Sequence, residues 1–280
     1  MEKLVSIVLP THNGDKFLED SIKSVINQTY KNWELIIVND SSTDNTAEIL
    51  EKYSKQNSKI RVITNKKNKK LPASLNIGFK EARGEYYTWT SDDNMYKNNA
   101  IEYMVNYLNN HPHADLVSCN FDFIKENGEF EKEFSTNKER SAVRLAYGCN
   151  VGACFMYRKQ IAEKVGDYDT KMFCAEDYDY WCRIALAGTI DYIDENLYIY
   201  RRNSKSLTAT QQKRIRRVSK LIRFKYVTSL FTKYNIPTEQ RVNNLMSRFI
   251  SKRSYPWLIL SCRQSLSKSL MYWIKYLKKQ

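Results

Sequence analysis

No CxxC pair occurs among the six cysteines of the sequence, which are Cys119, Cys149, Cys154, Cys174, Cys182 and Cys262. Their spacing predicts neither a zinc site nor a short disulfide framework, so reduced thiols are expected. Long apolar runs are also missing. The run after the first three residues is too short for a signal peptide and reads as a strand. The segment YPWLIL at 255–260 is far shorter than the roughly 20 residues of a membrane span.

Acidic residues are nearly missing from one end of the chain. Residues 205–280 hold 18 of the 45 Lys and Arg but only Glu239 among the 31 acids, a net charge of +17. Residues 1–204 carry 27 basic and 30 acidic residues, a net charge of −3. The overall +14 therefore describes a basic C-terminal segment rather than a basic protein. With 42% hydrophobic and 27% charged residues, the chain has the composition of a folded globular protein.

Buried-strand runs alternate with helical periodicity over the first 95 residues. The pattern predicts strands at 4–9, 34–38, 60–63 and 86–90, and helices at about 17–26, 44–55 and 72–82. Such alternation predicts an α/β fold with a mostly parallel sheet flanked by helices. We expect an α/β body at 1–204 and a basic helical extension at 205–280.

The alternation changes after Asp93. A helix is predicted at 97–108, and Asn127-Gly128 between the runs 121–124 and 130–134 predicts a hairpin with a loop longer than two residues. Further strands are predicted at 151–157, 190–193 and 197–200, and a helix at 178–186. The basic extension begins near Lys205.

Polar side chains follow three of the predicted strands, at the edge where ligands bind in open α/β sheets. They are Thr11, His12 and Asn13 after the first strand, Asp40 after the second, and Asp92 and Asp93 after the fourth. Adjacent aspartates repel unless a cation or donor compensates, which favours Mg²⁺ or Mn²⁺ shared with a substrate diphosphate. Helix capping by Ser91 or Asp92 is the alternative, and the residues alone leave the two open.

Four ordered motifs extend this interpretation over residues 4–206. They are VSIVLPTHN, WELIIVNDSSTDNT, LNIGFKEARGEYYTWTSDDN, and CAEDYDYWCRIALAG with LYIYRRNSKS. Together they resemble the family 2 glycosyltransferases, inverting enzymes with a Rossmann-like GT-A fold that use nucleotide sugars. The order of the motifs makes the resemblance specific, because any one of them alone is weak.

The resemblance implies a GT-A catalytic domain at 1–204, with a nucleotide-binding half at 1–95 and an acceptor half at 96–204, that contains a donor site and a catalytic base. The nucleotide, usually UDP, is expected against Thr11, His12, Asn13, Asp40, Lys70 and Asp92, with Asp93 as the direct metal ligand and Asp92 beside it. Asp177 matches the catalytic base, which takes the proton of the acceptor hydroxyl. From the residues alone, the alternative is that Glu176, Asp177 and Asp179 complement the dipole in the first turn of their helix. Glu176 and Trp181 are expected to contact the acceptor. For Trp181 and Lys70, core packing and simple solvent exposure are the respective alternatives.

The sequence also departs from the family pattern. Asn203 stands where the family often has a histidine that helps to hold the metal, so the full metal shell is not defined. Asn39-Asp40-Ser41 replaces the common Asp-Asp-Gly, and Ser91 replaces an acid. Asp40, Asp93 and Asp177 are all retained.

The basic extension contains two amphipathic stretches, at 213–226 and 266–279. Each either packs its apolar stripe on protein, which includes a second copy of the chain, or lies on an anionic membrane surface. We therefore expect a cytoplasmic bacterial enzyme, with contact at the inner membrane face as one alternative. It would transfer sugar from a UDP-sugar to a glycan or lipid-linked hydroxyl for surface polysaccharide or glycoconjugate synthesis. A metal-dependent nucleotidyltransferase and a nucleic-acid-binding protein acting through 205–280 are the rival functions; nucleic acid is not the expected partner.

Overall fold

The computed structural model describes residues 2–134, 141–252 and 255–277. Its strands are β1 Val5–Thr11, β2 Trp33–Asn39, β3 Ile60–Thr64, β4 Tyr86–Trp89, β5 Met95–Tyr96, β6 Leu116–Ile124, β7 Phe130–Phe134, β8 Cys154–Arg158 and β9 Ile190–Arg201. Its helices are α1 Leu18–Ile26, α2 Thr46–Gln56, α3 Leu71–Lys80, α4 Ala100–Asn110, α5 Lys159–Val165, α6 Glu176–Ala187, α7 Leu207–Thr210, α8 Gln212–Lys233, α9 Thr238–Lys252, α10 Tyr255–Gln264 and α11 Leu266–Leu277.

The described strands form one sheet in the order β3-β2-β1-β4-β8-β6-β9-β5, with β7 paired to β6. Strands β3, β2, β1 and β4 are parallel, as the alternation predicts, and β6 is parallel to β9. Strand β8 runs antiparallel to both β4 and β6 and so joins the two parallel parts. The register pairs Thr11 with Asn39, which brings the carboxyl ends of β1 and β2 together.

Apolar residues fill both faces of the sheet. Every residue of β1 and β2 is buried, as expected for parallel strands covered on both sides. Ile7 and Leu9 belong to the core on the α1 side, whereas Val8 packs with Leu75 of α3 on the other face. Since fully burying such a side chain contributes about 1.5–3 kcal/mol, the sheet forms a firm base for the loops at its edge.

Several predicted boundaries were wrong. Strand β1 continues through Pro10 to Thr11, and the predicted strands 190–193 and 197–200 are one strand, β9. The helix predicted from 97 begins at Ala100. The two-residue strand β5 and the seven-residue helix α5 were not predicted. The hairpin was correct: β6 and β7 are antiparallel, and Gly128 in their five-residue loop has φ +92°.

Helix α8 of the basic extension packs on the body formed by residues 1–204. Its apolar stripe is buried in the same core as α6, and consists of Val218, Ile222, Tyr226, Val227, Leu230 and Phe231. The Tyr234 hydroxyl donates to the Ala185 carbonyl at 3.1 Å, and Lys233 donates to the Gly188 carbonyl at 2.6 Å. The stretch 213–226 therefore packs its apolar stripe on protein, the first of the two alternatives expected for it. Among the described residues, no helix combines the length and apolarity needed to cross a bilayer.

Candidate active site

The ends of β1 and β4 meet at Asp92. Its Oδ2 accepts a hydrogen bond of 2.6 Å from Thr11 Oγ1. Gly14 allows this approach, because a Cβ built there would lie 2.2 Å from Asp92 Oδ2 and 2.5 Å from Thr11 Oγ1. Burial and the charge of the adjacent Asp93 raise the pKa of Asp92 to about 7. The loop after β1 is therefore fitted tightly around a carboxylate whose charge is poorly compensated by protein.

Asp93 is held by neutral donors. Its Oδ1 accepts from Ser91 Oγ at 2.9 Å, and its Oδ2 accepts from the Asn203 side-chain amide at 3.3 Å. Burial raises the pKa of Asp93, while Ser91, Asn203 and the nearby Arg201 lower it. Neither Ser91 nor Asp92 caps a helix: the N-cap of α4 is Asn99. The alternative that Ser91 or Asp92 caps a helix is therefore wrong.

The donor set at this edge fits a hard divalent cation that also binds substrate. Two adjacent carboxylates with an amide beside them offer oxygen ligands, as Mg²⁺ and Mn²⁺ prefer. Within the described residues, no group of three or more His, Cys, Asp or Glu converges as a metal cage. Two protein carboxylates completed by water and phosphate oxygens are the usual arrangement for Mg²⁺.

Asp40 supports the loop that precedes α3. Its buried carboxylate accepts from the Asn65 side-chain amide and from the backbone N–H groups of Lys69 and Lys70, each at 2.8 Å for the shorter contact. Lys70 takes φ +72°, a region that non-glycine residues rarely adopt, and its side chain is exposed. Asp44, which precedes the N-cap Asn45 of α2, accepts from the Thr46 N–H at 3.1 Å and so satisfies a backbone donor at the start of this helix.

His12 and Asn13 connect the loops after β1 and β2. The Nδ1 of His12 lies 2.9 Å from the Asp40 carbonyl oxygen, and the ring is exposed. Asn13 has φ +56° and accepts from the Thr43 N–H at 2.8 Å. Two loops joined in this way leave the His12 ring on the surface beside Asp40, where a planar base can stack.

A second pair of carboxylates lies at the start of α6. Asp177 Oδ1 accepts from the Tyr178 N–H at 2.7 Å, and Glu176 Oε2 accepts from the Cys174 N–H at 2.7 Å. Burial raises the pKa of both, and the charge of Asp177 raises that of Glu176 further. Cys174 has φ +77°, so the turn into α6 is strained.

Tyr200 links the two acidic clusters. Burial raises the pKa of this tyrosine, and the charges of both Asp93 and Asp177 raise it further. Its hydroxyl must therefore lie within electrostatic range of each. The cations of Arg214 and Lys70 both act to lower the pKa of Cys174, which burial and Glu176 raise. The charges of Asp93 and Asp177 thus both reach Tyr200, and we call the region between these two acidic clusters the candidate cleft.

The expected contact between Trp181 and the acceptor is wrong. Its side chain is completely buried, packed against Phe155 with ring centroids 4.5 Å apart. It cannot stack on an acceptor sugar, and its position on the same face as Tyr178, Cys182 and Ala185 already indicated the core.

Sequence reasoning missed several residues that shape the cleft. They are Gly14, Asn65, Cys174, Tyr200 and Arg201. Gly14 follows directly on the polar cluster at 11–13, which is the one signal that could have identified it. The others act through tertiary contacts, which spacing along the chain does not reveal.

The fold and the paired acidic clusters define a class: α/β proteins that bind a nucleotide at the edge of a parallel sheet. The chain matches the family model described as "Glycosyl transferase family 2" over residues 6–166, more than half of its length. It belongs to that family.

Relatives agree with this assignment. The chain is 31% identical over 204 residues to an uncharacterized glycosyltransferase, RT0329, of Rickettsia typhi, covering 70% of this chain and 63% of that protein. It is 34% identical over 205 residues to MJ1057 of Methanocaldococcus jannaschii, an uncharacterized glycosyltransferase, covering 71% of this chain and 70% of the other. The chain thus spans less than two thirds of the Rickettsia protein.

The fold is similar to that of S. aureus TarS 1–349, solved in complex with UDP-GlcNAc. The TM-score is 0.64 at 17% identity, with 99% of this chain and 92% of that chain covered. At this identity the likeness concerns the fold, which is GT-A-like with additional C-terminal helices.

Proposed function

We propose that this protein is an inverting, metal-dependent glycosyltransferase. It moves a hexosyl group from a UDP-sugar to a hydroxyl of a glycan or lipid-linked acceptor, in bacterial surface polysaccharide or glycoconjugate synthesis. The observation that carries the proposal is that the charges of Asp93 and Asp177 both act on the pKa of Tyr200, in a chain that belongs to the family 2 glycosyltransferases. The similar TarS fold has been solved with UDP and with UDP-GlcNAc, which supports a UDP-sugar as the donor.

The donor is proposed to bind along the loops after β1, β2 and β4. The exposed His12 ring would stack on the base, next to the Asp40 backbone carbonyl that its Nδ1 contacts. Asp40 itself would act mainly by fixing the Lys69–Lys70 backbone, since its carboxylate already accepts from three protein groups. Lys70 then presents its cation near the donor. Thr11 and Asn13 hold the loops in place.

Asp93, with Asp92 beside it, would hold Mn²⁺ or Mg²⁺ against the diphosphate. When bound, such a cation offsets the negative charge that grows on the leaving UDP. Burial raises the pKa of both carboxylates, and the charge of Asp93 raises that of Asp92 further, so a bound cation would relieve unfavourable negative charge there. Ser91 and Asn203 orient Asp93 without adding charge, so its affinity for a cation is preserved.

Asp177 is proposed as the general base. The acceptor hydroxyl gives its proton to the carboxylate as its oxygen attacks the anomeric carbon, and the bond from that carbon to the diphosphate oxygen breaks. Because attack and departure occur on opposite faces, the anomeric configuration inverts. Burial raises the pKa of Asp177 toward the operating pH, which suits a group that must accept a proton in the transition state. Glu176, held by the Cys174 N–H, would position this carboxylate and border the acceptor.

A thermal-shift panel tests the donor and metal assignments. UDP-sugars should stabilise the protein more than GDP- or dTDP-sugars do, and only with Mn²⁺ or Mg²⁺ present. At ligand about 100-fold above its dissociation constant, the expected rise in Tm is about 5 °C or more. Asp93→Ala should lose this rise. Asp167→Ala, which removes an exposed carboxylate away from the cleft, should keep it. Equal stabilisation of Asp93→Ala would reject the metal site.

A further inference from the structure

Helix α11 buries a serine and exposes four apolar side chains. Ser269 is 3% exposed and shares a hydrogen bond of 2.7 Å with buried Ser261 of α10. Of the apolar side chains, Leu266 is 69% exposed, Leu270 58%, Met271 56% and Ile274 44%. Leu266, Leu270 and Ile274 follow one another at intervals of four residues, so they form one stripe along the helix. Among residues 2–134, 141–252 and 255–277, none covers this stripe.

Helix α8 shows that the arrangement of α11 is not a general property of the basic extension. Both helices combine apolar residues with Lys or Arg, yet α8 buries its apolar stripe on the body formed by residues 1–204. On α10, Ile259 is also half exposed, and exposed Arg263 follows it one turn later. Contiguous apolar side chains on a solvent-exposed face usually mark a binding surface.

The charge of this part of the sequence selects the kind of partner. Residues 255–280 contain five basic residues, Arg263, Lys268, Lys275, Lys278 and Lys279, and no acid. A second copy of the chain would bring the same positive charge to the contact, and like charges oppose each other. An anionic bilayer supplies both a hydrocarbon layer for the stripe and negative headgroups for the cations.

We propose that the α11 surface, defined by Leu266, Leu270, Met271 and Ile274, binds peripherally to an anionic lipid membrane, with α11 lying in the plane of the interface. This deepens the proposed function, because it would bring the cleft to a lipid-linked acceptor. The binding itself does not depend on catalysis. Under this proposal α11 makes the membrane contact, and the buried stripe of α8 does not take part in it.

Vesicle co-sedimentation of the full chain tests the proposal. Vesicles with about 30 mol % phosphatidylglycerol should bind the protein, vesicles of phosphatidylcholine alone should bind it at least roughly tenfold more weakly, and high salt should weaken binding. The double variant Leu270→Glu, Ile274→Glu should bind anionic vesicles at least roughly tenfold more weakly than wild type. Phe130→Glu is the matched control, since Phe130 is 62% exposed on β7, and it should bind like wild type.

Two results would overturn the proposal. One is equal vesicle binding by the double variant and wild type. The other is a wild-type dimer in analytical ultracentrifugation that the double variant loses, with no vesicle binding by either; the surface would then join two copies. The UDP-induced rise in Tm is measured on the same samples. If the UDP-induced rise persists while vesicle binding is lost or never present, only the membrane surface is rejected. If the rise is absent while vesicle binding is intact, the donor assignment is rejected.

Discussion

Asp179 is expected to hold the helix of the proposed base in place, and its replacement gives the sharpest structural test. It lies two residues after Asp177 on α6 and is completely buried. Its Oδ2 accepts from Arg183 Nε at 2.9 Å, while Oδ1 accepts from Lys225 Nζ at 3.1 Å and from the Tyr226 hydroxyl at 2.9 Å. Lys225 and Tyr226 belong to α8, so this carboxylate ties the extension to the cleft.

Asp179→Asn removes the charge with little change of volume. The oxygen of the new amide can still accept from Tyr226, but its NH2 group faces Arg183. Arg183 and Lys225 both lose their counter-charge. Breaking a buried pair by removing one partner costs about 3–5 kcal/mol. Because the Lys225 side chain is nearly half exposed and can be hydrated, we expect the lower end, about 3 kcal/mol. At about 2–4 °C per kcal/mol for a chain of this size, Tm should fall by roughly 6–12 °C.

Urea denaturation and calorimetry measure this loss, with Tyr226→Phe as the matched control. That variant removes one hydroxyl donor and should cost about 1 kcal/mol. In turnover assays Asp179→Asn should lower kcat while UDP-induced stabilisation persists, because the donor loops lie elsewhere. An Asp179→Asn protein within about 0.5 kcal/mol of wild type, or no less stable than Tyr226→Phe, would refute the reasoning.

Three further predictions concern the cleft. Gly14→Ala should weaken UDP-induced stabilisation several-fold, since its Cβ would displace Asp92, whereas Gly148→Ala, with open space around its Cβ, should not. Asp177→Asn should stabilise the protein increasingly, relative to wild type, as the pH in thermal melts rises above about 4: burial raises the folded-state pKa of this carboxyl, so the wild type loses stability as the pH rises, and the amide does not titrate. A pH-independent effect would contradict this. Asn203→His should lower the Mn²⁺ concentration needed for UDP stabilisation, because imidazole can ligate Mn²⁺ directly; an unchanged midpoint in a Mn²⁺ titration would count against it.

Local sequence patterns were sufficient for the first half of the fold. The parallel strands β1 to β4 are short apolar runs separated by helical periodicity, and both signals are local. Strand β9 was divided in two because Asp194, Glu195 and Asn196 resemble a turn. In the structure the strand continues, since the β6–β9 register shifts around Asn120 and Asp194 accepts from the Asn120 amide at 2.7 Å. That contact joins residues 74 positions apart.

The candidate site shows the same division. Carboxylates at strand ends are visible in the sequence, and so is the pair that opens α6. What each carboxylate does depends on distant donors: Asp40 proved to hold a loop through Asn65 and two backbone groups. Trp181 was misassigned because helical spacing places it one turn from Asp177 without showing that the side chain points into the core. The direction in which α11 faces likewise depends on how it packs against α10.

The most direct test is a crystal structure with UDP and Mn²⁺, using the anomalous scattering of manganese. The account predicts one manganese peak at coordination distance, about 2.1 Å, from an Asp93 carboxylate oxygen and a diphosphate oxygen. The open space next to the diphosphate should face Asp177. A manganese peak away from Asp93, or a diphosphate bound on a surface that Asp177 does not face, would contradict the account.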